Sequence, residues 1–153
     1  MNFVVINDKL APIRILRQVE AVSDAEFAEF LANERAFKLR EVARGGRWVE
    51  VVDYGRCPGL TPVQQRMCAE WLATSLPMIA SATIGVAVTV PPEFLAQGER
   101  FTDQFDRVGI PSRICSTLDG ALRWALERCY DEDVSIAPDL VFGGVDAFRT
   151  VFA

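Results

Sequence analysis

The chain has 153 residues, half of them hydrophobic and 24% charged, and its 16 basic and 21 acidic side chains leave a formal net charge of −5. That is the size of one domain, apolar enough for a real core and far from the composition of a disordered chain. A polyphosphate partner needs a concentrated cationic face, which an acidic chain with interspersed signs does not offer, so nucleic acid is not an expected partner.

FVVI (3–6) and PIRILRQVE (12–20) read as two short strands joined through NDKLA, with Ile13, Ile15 and Val19 suggesting one buried face. Ser23 opens a helix: in Ser23-Asp24-Ala25-Glu26 the hydroxyl and the carboxylate satisfy each other's free backbone N–H groups, a capping box. Phe27, Phe30, Leu31 and Phe37 supply its apolar stripe, and Gly45-Gly46 ends it. RWVEVVDY (47–54) is the next strand. TPVQQRMCAEWLATSL (61–76) follows as a helix with Val63, Met67, Trp71 and Leu72 on or near one face, interrupted at Pro77. TIGVAVTV (83–90) is apolar almost throughout, as a strand covered on both faces should be. After Pro91-Pro92, residues 92–107 place Phe94, Leu95, Phe101 and Phe105 at helical spacing. IPSRICS (110–116) reads as the last strand and TLDGALRWALERCY (117–130) as the closing helix, with Leu118, Leu122, Trp124 and Ala125 toward the core.

The order β-β-α-β-α-β-α-β-α predicts an α/β fold with a mixed, largely parallel sheet of about five strands and right-handed crossovers. Residues 1–131 make the domain. The extension 132–153 carries Val141, Phe142, Phe148, Val151 and Phe152, too apolar for a solvated tail, and packs either on its own domain or on a second subunit. No apolar run approaches the roughly 20 residues of a membrane span. The opening MNFVVINDK lacks the basic start and long apolar stretch of a signal peptide, so the cytoplasm is the expected compartment.

Histidine is absent, which removes Ser-His-Asp and Cys-His arrangements and every imidazole base. Catalysis would fall to carboxylates, Lys9, Lys38, a tyrosine or an unassisted thiolate. Cysteines 57, 68, 115 and 129 form no CxxC pair and read as buried reduced thiols, with no metal site and no cofactor expected. Thr61 at the N-cap, Pro62 at the first helical position and Gln64 three residues on make a second capping box, which accounts for the threonine structurally. A phosphate there would meet free N–H donors and the positive helix end, so a regulatory use of Thr61 is compatible with the cap. Asp53, ending its strand, could ligate a metal or act as a base, or simply bond turn N–H groups. Cys57, beside Arg56 and a helix start, is the other candidate for reactivity. GRCPG (55–59) lacks the lysine of a phosphate-binding loop, and the acids of DEDV (131–134) read as a solvated charge run.

Four stretches, SDAEFAEFL, VVDYGRCPGLTPVQQRMCAEWL, IGVAVTVPPEFL and IPSRICSTLDGALRWALE, together resemble the SpoIIAA-like branch of the STAS fold, the family of anti-sigma factor antagonists and related small modules. The resemblance covers residues 12–130. It implies a non-enzymatic, cytoplasmic, bacterial regulatory protein that works by docking to a protein partner, and Thr61 is the only hydroxyl placed to inherit the phosphorylated position of such antagonists. The aspartate and glycine of their usual Asp-Ser-Ser-Gly motif are missing here. The implied docking surface comprises Asp53, Tyr54, Arg56, Thr61 and Gln64, together with the turn 54–60 and helix 92–107, and a homodimer through the C-terminal segment is compatible with it. The alternative is a small-ligand or lipid-binding protein with an apolar pocket beneath helix 92–107.

Overall fold

A computed structural model describes residues 4–7, 10–18, 20–54, 59–136, 138–144 and 146. The elements are β1 (Val4–Asn7), β2 (Ile13–Gln18), α1 (Asp24–Ala43), β3 (Trp48–Asp53), α2 (Pro62–Ile79), β4 (Thr83–Thr89), a 3-10 turn (Pro92–Phe94), α3 (Leu95–Asp106), β5 (Ser112–Cys115), α4 (Leu118–Asp131) and α5 (Pro138–Gly143). The strands lie in the sheet in chain order, β1-β2-β3-β4-β5. β1 runs antiparallel to β2, while β2 to β5 are mutually parallel.

In-order parallel strands mean that every crossover steps in the same direction, and a common handedness then puts α1, α2 and α3 on one face of the sheet. α4, which follows the last strand, covers the other. Side chains sort accordingly, because successive strand residues point to opposite faces. Val52, Val86 and Val88 pack with Leu72, Leu76, Ile79 and Phe105. Ile13, Ile15, Val49, Val51 and Ala87 pack with Ala121, Leu122, Ala125 and Cys129. Leu140 of α5 is 1% exposed in this second cluster, so α5 contributes a side chain to the domain's core. The expected role of Val19 falls outside the described residues.

Both capping boxes are present, Ser23 with Glu26 and Thr61 with Gln64. The helix faces differ from expectation in two places. The buried side of α1 is Phe27, Leu31, Glu34 and Lys38, a stripe that turns from apolar to charged half-way along. α2 continues through Pro77 to Ile79. The proline is exposed and lies in the final turn, where its missing N–H costs a single main-chain bond. The buried side of α2 holds Leu72, Ser75, Leu76 and Ile79, whereas Val63 is 40% exposed. Trp71 is half-buried and turns toward α1, its indole N–H donating to the Leu31 carbonyl at 2.7 Å. Among the described residues no helix is long and apolar enough to cross a membrane.

Candidate functional site

Thr61 sits at the corner where β3 hands over to α2, in extended backbone and exposed. Its Oγ1 accepts the Gln64 N–H at 3.1 Å, and the Gln64 Oε1 accepts the Thr61 N–H at 3.2 Å. The Gln64 amide also donates to the Val22 carbonyl at 2.7 Å, and its side chain is buried. Gln64 therefore ties the start of α2 to the segment leading into α1, and only Thr61 of this pair faces solvent. Arg56 and Cys57 lie outside the described residues.

Asp53 and Tyr54 are chain neighbours that leave the strand end on opposite faces. Asp53 is buried on the α4 face, in register between Arg17 of β2 and Thr89 of β4. One carboxylate oxygen accepts the Arg17 Nε–H at 3.0 Å and the other the Thr89 hydroxyl at 2.6 Å. Tyr54 faces the helices and makes an edge-on ring contact with Phe101 of α3, centroids 6.5 Å apart. The expected grouping of Asp53 with Thr61 and Tyr54 in one surface is corrected by this alternation: the sheet itself separates them.

Between α2 and α3 a cavity of about 160 Å³ opens at the C-terminal end of the strands. Its apolar walls include Leu60, Leu72, Val90, Phe94 and Phe101, and its polar margin includes Gln65, Gln97, Arg100 and Gln104. Gly59 forms part of the rim with a φ of +92°, and a Cβ there would come within 3.2 Å of the Phe94 ring. Only glycine combines that backbone with that approach. Behind this chamber lies a smaller one of about 60 Å³ between α1, α2 and the sheet. Tyr54, Cys68, Leu72 and Phe101 form walls of both. Burial pushes the Cys68 thiol up to about 12, so it stays protonated at neutral pH.

The inner chamber is bordered by charges that nothing in the chain's periodicity announces. Arg14 donates from both terminal nitrogens to the Glu34 carboxylate and lies 4.2 Å over the Phe37 ring. Lys38 bonds both Glu50 oxygens, at 2.8 and 3.1 Å, and stands 5.0 Å over Trp71. All four charged side chains are nearly inaccessible, at 4–6% residual exposure. The cluster pairs two cations with two anions, which is how buried charge is tolerated. Lys38, singled out as a possible catalytic group, is thus held between Glu50 and Glu34. Two signals could have revealed this site. Arg14 and Glu50 interrupt apolar strands at directly paired positions, and Glu34 and Lys38 are four apart on α1.

Compared with protein-family models, curated proteins and solved structures, the chain matches none of them.

Proposed function

We propose that the protein is a binding module and that its α2–α3 cavity receives a small, largely apolar ligand. The observation that carries this reading is the cavity itself: it is lined mainly by apolar groups from α2, α3 and the loop before α2. The cavity is concave and mostly apolar with a few polar groups at its margin, as small-molecule sites are. Native mass spectrometry of the freshly purified protein, followed by titration with toluene, tests the reading. Ala69 lines the cavity from α2, and Ala69→Phe should abolish the uptake of toluene seen in the wild type. Wild-type protein that takes up no toluene, or an Ala69→Phe variant that binds it unchanged, overturns the proposal.

A second reading extends the SpoIIAA-like resemblance: the same corner docks to a protein partner. Three exposed groups at the starts of α2 and α3 favour it, Thr61, Val63 (40% exposed) and Leu95 (47% exposed). Isolated partners are then compared for wild type and Thr61→Glu. A partner held equally by both argues against a switch at this corner.

A further inference from the structure

We infer that the ligand of the α2–α3 cavity is a small amphipathic monocarboxylate, with a body about the size of one aromatic ring lodged in the apolar chamber and its carboxylate meeting Arg100 at the mouth. The inference rests on reading that cavity as a ligand site, and it adds the chemistry of the ligand.

Size is the first constraint. A volume of about 160 Å³ is close to that of an engineered apolar cavity of about 150 Å³ that takes up benzene. It accommodates one ring and excludes a long acyl chain. The chamber behind, about 60 Å³, has room only for water-sized molecules. Phe94, Phe101 and Tyr54 give the larger chamber aromatic walls, which favour offset or edge-on contact with a ring.

Charge is the second constraint. The chain has more acids than bases, yet among the described residues no carboxylate lines this cavity, and Arg100 is the only charged side chain that does. Arg100 is exposed and has no ion pair with another described residue. Among the described lining residues a cationic ligand has no acid to meet, and a dianion has one guanidinium for two charges. The fork of an arginine fits one carboxylate with two parallel N–H donors. The remaining polar groups of the margin are neutral amides, and that of Gln65 already donates to the Leu60 carbonyl at 3.0 Å. Deeper in, Lys38 is balanced by Glu50 and Glu34 and offers a ligand no net positive charge. The acid group therefore points outward and the ring inward.

Calorimetric titration of the full chain with phenylacetate, phenylacetamide and toluene tests this, in wild type and Arg100→Met. Wild type should bind the acid about fivefold more tightly than its amide, the upper range for a solvent-exposed ion pair, with the preference shrinking as salt is added. Arg100→Met should erase the preference for the acid over its amide. Equal affinity for acid and amide in wild type, or a preference that survives in Arg100→Met, overturns the acid assignment while toluene binding upholds the cavity. Failure of all three probes to bind overturns both.

Discussion

Thr61 shows how a side chain can be fully used by its own backbone and still face solvent. Its hydroxyl is an acceptor in the capping box, so Thr61→Ala should cost about 1 kcal/mol in chemical denaturation, whereas Thr61→Asp should keep the cap and the stability. A larger loss in the aspartate variant would show that the corner does more than start a helix. Cys68 makes a different argument. Its protonated form is stabilised by burial, with a native value of about 12 against 9.0 for an ordinary thiol. The unfolded chain therefore releases this proton first, and stability present below pH 9.0 should fall as the pH rises toward 12. Cys68→Ala should flatten that alkaline decline in thermal melts, and an unchanged slope would refute the assignment. At this scale the capping boxes were legible because the residues that form them are three apart. The partners of Asp53 were not, since Arg17 and Thr89 are each 36 positions away and meet it only through strand register.

The helix α1 lets a long amphipathic element carry two kinds of core on one face. Phe27 and Leu31 pack in the ordinary way, and Glu34 and Lys38, further along the same stripe, complete an ionic cluster with Arg14 and Glu50. Lys38→Met leaves Glu50 without its closest cation in a buried setting, and a loss of about 3–5 kcal/mol is expected in denaturant titration. Pairing it with Glu50→Leu should recover much of that loss, because no unbalanced charge then remains. If the double variant is as unstable as the single one, packing rather than charge dominates there. In β4, Gly85 answers to the opposite face: a Cβ would fall 2.8 Å from the Trp124 ring of α4. Gly85→Val should displace that indole and cost about 1–3 kcal/mol, read as a lowered melting temperature with altered tryptophan fluorescence. The strands were legible because β3 and β4 are apolar on both faces. The buried sides of α1 and α2 were not, since periodicity finds a stripe without saying whether a sheet, a helix or a charge will meet it.

Across the whole molecule the order of elements was readable from the chain, whereas the destination of the last segment was not. Leu140 shows why: it shares a core cluster with Ile13, Val49 and Leu122 of three earlier elements, and only the closed fold brings them together. Leu140→Ala should destabilise the domain by about 2–5 kcal/mol in urea unfolding, the usual effect of emptying a buried leucine position. A neutral outcome would mean that the extension is dispensable to the core. The shape of the cavity between α2 and α3 was not legible for a similar reason: it depends on how the two helices settle over the sheet.

The arrangement of helices has a consequence for synthesis. Three crossovers cover one side of the sheet as they emerge from the ribosome, yet the opposite side has no cover until residues 118–131 have left the exit tunnel. A chain truncated at residue 116 would lack the helix that covers Ile13, Ile15, Val49, Val51 and Ala87, leaving an adhesive sheet surface that chaperones or neighbouring chains would bind. Helix α4 acts as the latch of the assembly, and how quickly it docks sets how long that sheet surface is open to aggregation.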